Sequence, residues 1–356
     1  TAVSADGEVV VGQADNDEGW RRAFIWRRDK MLDYGNLVSQ MLGAGRDRAA
    51  NLMTLQADLI ALSSRELRVA DDGLEFPFNR SSQRSAQTTR RPMALRLEAD
   101  YAGNGNVGDT IYTGGTLAVG LDNGFTVGGS LQYGNANPDY GGLSYDGDFW
   151  AASAYVRQRS PDATGLTWKL GAGFSRVDSD VTREATLANT EEGTGNTKID
   201  NAVALAEIGY GVRRGRSIIV PRLSLIHSTG TNDGYTESDT IAFPVTYDDY
   251  DFDLTLATLA ADVFVGLTSN TMLEFVLGIE SDLHRSSNTV TGSSLATADF
   301  AIGVPEVLNK NRAFASVNLR RRFAPGRILE GRLGLRQSPF TDELSHSAGI
   351  SYIVNF

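Results

Sequence analysis

The chain has 356 residues, of which 33 are basic and 44 acidic, so its formal net charge is −11. It contains no cysteine, which excludes disulfide scaffolds, thiolate zinc sites and cysteine nucleophiles. The acidic balance and the dispersed basic residues argue against nucleic acid as a partner. No run approaches the roughly 18 consecutive apolar residues of a membrane helix, but β-strands that expose only every second residue to lipid remain compatible with this composition.

Residues 1–35 are predicted to form a short β-unit. An Asp6-Gly7 turn precedes an apolar strand, and Trp20 to Trp26 supply an aromatic strand. The segments Ser4 to Gly12 (Ser-Ala-Asp-Gly-Glu-Val-Val-Val-Gly) and Ala-Phe-Ile-Trp at 23–26 resemble the extracellular HAF-type repeat. One unit cannot bury its own face, so the resemblance implies a remnant of a repeat passenger. The alternative is an incidental hairpin that packs on a loop.

Residues 36–92 are predicted to form a helical segment followed by a polar linker. Leu52, Leu55, Leu59 and Leu62 give a helical apolar stripe within 37–67. Asn36 is expected to cap this helix. Residues 79–91 are almost wholly polar, carry four arginines and have no apolar stripe.

From residue 93 onward, apolar residues recur at every second position in segments of about ten residues, the length of a tilted strand that crosses a bilayer. Two irregularities interrupt this pattern: Pro221 should lie near a turn or at irregular pairing, and a phase shift predicts a β-bulge near Ala257–Thr258. Twelve segments follow the pattern: 93–102, 110–121, 124–134, 148–159, 165–177, 200–213, 217–228, 250–267, 271–285, 311–323, 327–337 and 343–356.

The connections between these segments alternate in length. Short connections alternate with long polar ones at 135–147, 178–199, 229–249 and 286–310. Tight periplasmic turns and long outer loops are typical of outer-membrane barrels. The sequence therefore predicts an all-β membrane protein: a single 12-stranded antiparallel transmembrane β-barrel over residues 93–356, with a short helix and linker in or at the pore.

The two faces of the predicted strands differ in chemistry. The outward face is apolar, with aromatic girdles near the strand ends at Phe125, Tyr133, Trp150, Tyr210, Tyr250, Phe252 and Phe323. The inward face carries charges of both signs, which predicts a wet, internally paired lumen. The predicted lumen residues are Arg96, Glu98, Arg157, Lys169, Glu207, Arg222, Glu274, Glu280, Arg320 and Arg332, together with Glu330.

The C-terminal strand ends on an aromatic residue. Gly349, Ile350, Tyr352, Val354 and Phe356 resemble the outer-membrane insertion signal, which the barrel-assembly machinery reads edge-on. In such β-augmentation the exposed strand edge provides affinity and alternate side chains provide specificity. The resemblance therefore implies the barrel-assembly machinery as a partner.

The order of helix, linker, twelve strands and terminal phenylalanine resembles the translocator domain of the autotransporters, the type V secreted proteins. The resemblance implies a monomeric barrel in the outer membrane of a Gram-negative bacterium, in contact with outer-membrane lipid. It also implies that the barrel exports its own N-terminal passenger to the outside of the cell. The pre-barrel segment is then expected to thread the pore, so removing residues 37–92 should raise the conductance.

Two other functions are weighed against export. A porin-like channel would use the same barrel to conduct solutes, and it would need an open lumen. An outer-membrane hydrolase would need a serine, a histidine and an acid within hydrogen-bond reach, but the chain has only His227, His284 and His346 and no nucleophile-elbow motif. Asn36 and Asn51 are the candidates for self-cleavage in the helical segment, although each is more simply a cap or a polar helix residue. The barrel is therefore predicted not to be an enzyme and to hold no cofactor or metal.

Overall fold

The computed structural model of the protein describes residues 1–15, 20–69, 93–104, 108–121, 124–158, 163–287, 289–304, 309–339 and 344–356. Within these residues the chain forms a long helix, a closed barrel and two four-stranded sheets. No helix in the described part of the chain combines the length and apolarity needed to cross a membrane.

Short strands come first in the chain, then one helix, and then the strands of the barrel and of a second small sheet. In chain order the elements are β1 (Ala2–Val3), β2 (Val10–Asp15), β3 (Arg21–Arg27), β4 (Lys30–Asp33), α1 (Tyr34–Val69), β5 (Met93–Asn104), β6 (Gly108–Gly120), β7 (Phe125–Tyr140), β8 (Leu143–Gln158), β9 (Gly165–Arg183), β10 (Gly193–Arg214), β11 (Ser217–Asn232), β12 (Tyr235–Thr236), β13 (Val245–Tyr247), β14 (Tyr250–Gly266), β15 (Thr271–Ser287), β16 (Val290–Ser294), β17 (Ala298–Ile302), β18 (Asn311–Ala324), β19 (Arg327–Gln337) and β20 (Leu344–Asn355).

Twelve strands form the closed barrel, in the order β5-β6-β7-β8-β9-β10-β11-β14-β15-β18-β19-β20. Neighbouring strands are antiparallel, and β20 pairs with β5 to close the cylinder. The predicted number of strands and the predicted closure between the first and last strands are confirmed. Closure leaves no unpaired sheet edge, which lipid does not tolerate.

The two ends of the barrel differ. The short-turn rim consists of the connections 121–124, 159–164, 215–216, 267–270 and 325–326, and it also carries Met93 and Phe356. The mouth, at the opposite end, consists of the connections 105–107, 141–142, 184–192, 233–249, 288–310 and 338–343. The cap sheet, formed by β12, β13, β16 and β17, is built from the two longest of these connections.

The predicted long connections at 135–147 and 178–199 are mostly strand. Strands β7 and β8 continue to a two-residue turn at Gly141, whose φ of 70° suits glycine, and β9 and β10 leave only 184–192 between them. In these segments the polar side chains face outward, and the side chains that alternate with them pack inside the barrel. The strands therefore remain paired beyond the apolar outer surface. The barrel wall from β7 to β11 is consequently taller than the wall around β19 and β20.

The predicted bulge and part of the predicted girdle are wrong. In β14 the side chains of Tyr250, Phe252, Leu254 and Leu256 are all buried inside the barrel, without a change of phase. The irregularity lies in β15 instead, because Thr255 pairs with His284 and Leu256 with Asp282, which leaves one residue of β15 unpaired. The inward residues of β14 are apolar because they contact other apolar groups inside the barrel. The alternation therefore assigned them to the lipid-facing side.

The expectation for Pro221 is confirmed. The pairing of β10 with β11 is interrupted between Gly209–Arg222 and Val212–Ile219, and Pro221 lies within this gap. A proline lacks the backbone N–H that the ladder would use there. The start of α1 differs from the prediction: Oδ1 of Asp33 accepts a hydrogen bond from the backbone N–H of Asn36 at 3.0 Å, so Asp33 is the cap and Asn36 lies in the first turn.

Candidate functional site

The first part of helix α1 fills the mouth of the barrel. Most of its buried apolar side chains belong to one cluster that also contains strand residues and residues of the cap sheet. The two described members of the predicted leucine stripe, Leu52 and Leu55, both lie in this cluster. The helix contributes Leu37, Met41, Ala44, Ala49, Leu52, Met53 and Leu55, and the barrel and cap sheet contribute among others Tyr112, Phe149, Val177, Ile199, Phe252, Val245 and Val290. The polar segment 79–91 lies outside the described residues.

Arg48 is the polar anchor of this helix and has no exposed surface. Its Nε donates to Oδ1 of Asn232 at 2.9 Å, and its Nη1 donates to the backbone oxygen of Asp248 at 2.8 Å. Its guanidinium carbon also lies 5.5 Å and 5.4 Å from the ring centres of Tyr235 and Tyr247. Burial raises the pKa of both tyrosine hydroxyls, so the rings stay neutral beside the cation.

Further hydrogen bonds join the helix to the extended strands. Nδ2 of Asn51 donates to the backbone oxygen of Leu143 at 2.6 Å, and Oδ2 of Asp47 accepts from the backbone N–H of Gly142 at 3.0 Å. These contacts reach the tip of the β7–β8 hairpin, which the taller side of the wall supplies. The extension of that wall therefore serves to hold α1.

The sheet formed by β1 to β4 is held on the mouth by the connections 184–192 and 233–249. Nη1 of Arg27 donates to the backbone oxygen of Ala242 at 2.7 Å, and Nζ of Lys30 lies 3.3 Å from Oε2 of Glu191. The Glu191 carboxylate also accepts the backbone N–H groups of Ala242 and Phe243 at 3.0 and 2.6 Å. One buried carboxylate thus joins two connections to the N-terminal sheet.

A chain of ion pairs crosses the lumen side of the barrel, with Glu330 at its centre. Nη2 of Arg96 donates to Oε1 of Glu330 at 2.8 Å, and Arg320 donates to the other carboxylate oxygen. The chain continues from Arg320 to Glu274 at 3.0 Å and from Arg96 to Glu98 at 3.0 Å. All five side chains are buried, so each charge must be paired to be tolerated.

The remaining predicted lumen residues form smaller groups. Arg222 bridges Asp262 at 2.9 Å and Glu207 at 3.2 Å. Glu280 pairs with Arg336 at 2.6 Å, nearer the mouth. Nζ of Lys169 lies 4.6 Å from the ring centre of Tyr155, and Arg157 is half-buried.

A further ion pair lies across the closing strand and is linked to the chain of ion pairs through Arg332, whose Nη1 lies 3.9 Å from Oε1 of Glu330. Arg332 of β19 and Asp100 of β5 are the register partners of Gly349 in β20, one on each side. Nη2 of Arg332 donates to the two carboxylate oxygens of Asp100 at 2.8 and 3.0 Å. A Cβ on Gly349 would overlap Oδ1 of Asp100, so this pair can pass over β20 only because residue 349 is glycine.

The residues proposed as an insertion signal lie on both faces of β20. Ile350, Tyr352, Val354 and Phe356 point outward, whereas Gly349 faces the lumen under the Arg332–Asp100 pair. Tyr352 stacks on Phe323 with ring centres 5.9 Å apart. The backbone N–H of Phe356 donates to the backbone oxygen of Met93 at 2.9 Å, which ties the last residue to the first strand.

Several of these contacts were not predicted from the sequence. Asp262 was not selected as a lumen residue. The period of β5 places Asp100 on the polar face with Arg96 and Glu98, but it does not show that Asp100 pairs with Arg332. Arg48 and Asp47 gave no local signal, because charged residues on a helix are usually solvated. Their partners Gly142 and Asp248 lie in mouth connections about 90 to 200 positions away in the chain.

The histidines and asparagines considered for catalysis are dispersed. His227 is exposed and its Nδ1 lies 3.0 Å from Oγ1 of Thr255, while His346 packs beside Tyr101. The side-chain amides of Asn36 and Asn51 donate to backbone oxygens of barrel residues, at 2.9 Å and 2.6 Å. Within the described residues, no group of three or more His, Cys, Asp or Glu side chains could hold a metal ion.

Comparisons with known proteins agree with this architecture. The autotransporter beta-domain family matches residues 94–328. Among solved structures, the chain is similar to the translocator domain of the autotransporter NalP from Neisseria meningitidis, at 16% identity over 84% of this chain and 97% of that chain, with a TM-score of 0.61. It is also similar to the β-domain of the Bordetella autotransporter Brka (13% identity, 74% and 98% covered, TM-score 0.48) and to the transport unit of the autotransporter AIDA-I from Escherichia coli (14%, 82% and 97%, 0.47). No curated protein matches the chain.

Proposed function

The chain belongs to the autotransporter family as its β-domain, and on this premise we propose that its barrel carries the segment before residue 34 through the lumen and leaves it outside the cell. The family match extends over residues 94–328, which is most of the barrel. The chain is accordingly an outer-membrane translocator of a Gram-negative bacterium. The proposal concerns the passenger, the route and the orientation.

The path of the chain is the observation that carries the proposal. Helix α1 begins at the mouth, beside the sheet of β1 to β4, whereas β5 begins at the short-turn rim. The chain between these two points must therefore pass from one end of the barrel to the other. At a rise of 1.5 Å per residue, the 36 residues of α1 span about 54 Å, which is more than the roughly 30 Å hydrocarbon core of a bilayer.

We assign the roles of the segments accordingly. Residues 1–35 are the end of the passenger, residues 36–92 are the segment left in the pore, and residues 93–356 are the translocator. The short-turn rim faces the periplasm and the mouth faces the outside. Every barrel strand finds both of its partners within one chain, which supports a monomer.

An epitope tag tests this orientation. A tag placed before Thr1 in full-length protein should be removed by protease added to intact cells, because the β1–β4 sheet lies at the mouth. A tag inserted at Pro325, in the β18–β19 turn, serves as the control and should stay protected until the outer membrane is opened. Protection of the tag before Thr1 in intact cells, with a folded barrel, would contradict export.

The porin alternative is disfavoured by the filled mouth. At that level the described residues pack an apolar cluster and the buried Arg48 around α1, where a porin would need a water-filled lumen. The hydrolase alternative would need a serine, a histidine and an acid within hydrogen-bond reach. Among the described residues, the one histidine hydrogen bond joins His227 to Thr255 and involves neither a serine nor an acid. We therefore assign the barrel transport and no reaction of its own.

The insertion signal is the basis of a second test. Replacing Tyr352 and Phe356 with alanine should reduce insertion several-fold, because the closing strand would bind the assembly machinery less well. Leu333 and Leu335, which are exposed on the outward face of the adjacent strand β19, supply the matched alanine pair. Heat-modifiable barrel in outer-membrane fractions is the measurement. Equal losses in the two double variants would mean that apolar area, and not a signal, determines insertion.

A further inference from the structure

Three of the five turns of the short-turn rim together form a strongly basic region although the chain is acidic. The segments 208–220, 263–273 and 317–329 enclose three of its turns, and together they contain seven arginines and no aspartate or glutamate. One of the seven, Arg320, is buried in the lumen network. The others lie at the ends of β10, β11, β18 and β19.

The three turns form one continuous arc. The backbone N–H of Gly266 donates to the oxygen of Arg216 at 3.0 Å, and the N–H of Arg322 donates to the oxygen of Asn270 at 2.8 Å. These bonds tie the β10–β11 turn to the β14–β15 turn and the β14–β15 turn to the β18–β19 turn. Arginines from the first and third turns are therefore presented along the same side of the barrel.

Four of these arginines have exposed guanidinium groups without an ion-pair partner among the described residues. Arg214, Arg216, Arg321 and Arg327 are exposed. None of them forms an ion pair with any residue in the described ranges. This differs from the lumen, where each described arginine of the Glu330 chain has a carboxylate at hydrogen-bond distance. The charges of the arc are thus available to a partner outside the chain.

Large apolar side chains lie among these arginines. Leu267 is 46% exposed, Phe323 55% and Phe356 74%, and all three belong to the same rim. Exposed apolar groups next to exposed cations match the boundary between the acyl chains and the headgroups of a bilayer. The planar guanidinium fork also matches the geometry of a phosphate group.

We propose that Arg214, Arg216, Arg321 and Arg327 form a binding surface for the headgroups of acidic phospholipids in the leaflet that the short-turn rim enters. The neighbouring apolar side chains enter the acyl region and hold the guanidinium groups at the level of the phosphates. A soluble polyanion would gain nothing from contact with the apolar side chains of Leu267 and Phe356, whereas the acyl chains of a lipid would bury them. The apolar neighbours therefore favour a lipid. The assignment to the periplasmic leaflet rests on the proposed orientation, whereas the lipid contact requires only that the barrel spans a membrane.

The mouth has the opposite charge on its outer surface. Asp146, Asp148, Asp178 and Asp180 are exposed on the outward face of β8 and β9. An acidic lipid should therefore collect at the arginine arc and not at this end. The difference provides a control within one molecule.

The test uses the full chain folded into phosphatidylcholine vesicles that contain traces of spin-labelled phosphatidylglycerol or spin-labelled phosphatidylcholine. The relative association of the two labels with the barrel is measured by electron spin resonance. We expect a preference of roughly 3- to 10-fold for phosphatidylglycerol, which high salt should weaken. The variant R214Q/R216Q/R327Q should lose most of it, and the control R21Q/R22Q/R46Q, which removes three exposed arginines near the mouth, should retain it.

Three outcomes would overturn the proposal: no preference in the unaltered chain, equal loss in both triple variants, or displacement of the labelled lipid by inorganic phosphate beyond the effect of chloride at equal ionic strength. The last would identify a site for a soluble anion. Heat-modifiable migration confirms folding, and the three single glutamine variants replace the triple variant if it does not fold. Because the assay requires only a folded barrel, its failure would leave the proposed export untouched.

Discussion

Replacing Gly349 with valine should prevent the barrel from closing. Arg332 reaches Asp100 across the closing strand directly over Gly349. A Cβ at this position would overlap Oδ1 of Asp100 and lie 3.1 Å from Nη2 of Arg332. The valine would therefore separate two buried opposite charges at the junction between the last and first strands.

The expected cost is about 3–5 kcal/mol, the range for a buried ion pair whose partners are separated. This is a large part of the stability of a typical domain, so little folded, heat-modifiable barrel should form. The control is Gly331→Val, because Gly331 is the register partner of Ile350 on the outward face and has no atom within 4 Å of an added Cβ. Both variants remove a glycine from adjacent strands, and only one of them displaces an ion pair.

A rescue distinguishes the ion pair from a general requirement for glycine. The triple variant D100A/R332A/G349V has no charges to separate, and space is freed for the valine. We expect it to recover part of the folded fraction that Gly349→Val loses. If Gly349→Val folds as well as Gly331→Val, or if the triple variant recovers nothing, the ion pair across β20 does not control closure.

Replacing Arg48 with alanine should release the helix from the mouth. The change removes both donors to Oδ1 of Asn232, which is fully buried and would be left unsatisfied at a cost of about 1–3 kcal/mol. It also removes the donor to the backbone oxygen of Asp248, which lies at the exposed edge of this contact. The substitution further removes the cation that lies beside the paired rings of Tyr235 and Tyr247. In planar bilayers we expect the unaltered chain to stay mostly closed and the variant to open often, with openings that approach the conductance of a chain truncated to residues 93–356.

Arg46→Ala is the matched control for this experiment. Arg46 lies two positions from Arg48 on the same helix, and its side chain is exposed. The Arg46→Ala variant should conduct like the unaltered chain, since it loses the same charge as Arg48→Ala without losing a buried contact. Openings that are equally frequent in both variants would mean that net charge near the pore, and not the anchor, governs conductance. Unchanged conductance after truncation would mean that the helix never occludes the lumen.

The strands could be predicted from the sequence because their period is short. A β-strand repeats every two residues, so ten residues already report which face meets lipid and which meets the lumen. For this reason the twelve strands could be predicted, and so could the pairing of the last strand with the first. The same alternation placed Arg96, Glu98, Arg320 and Arg332 together on one face, although it could not say which of them would pair.

The errors arose where both faces of a strand are apolar. Phe252 and Leu254 lie inside the barrel, where α1 and the neighbouring strands surround them with apolar side chains. The prediction assumed that residues facing the lumen are polar, so it assigned these two to the lipid side. The lengths of the mouth connections were misjudged for a related reason. Polar outward residues continue a strand above the membrane as readily as they form a loop.

The sequence by itself determined the barrel, its two faces and the strand that closes it, because these follow from local periodicity and from the order of segments. Only the tertiary structure decided which residues come together at the mouth, at the closing strand and at the short-turn rim. Three features join residues that are far apart in the chain: the placement of Arg48 beside two tyrosines, the passage of the Arg332–Asp100 pair over Gly349 and the gathering of arginines on one rim. Such contacts depend on the closure of the whole cylinder, so no local pattern contains them.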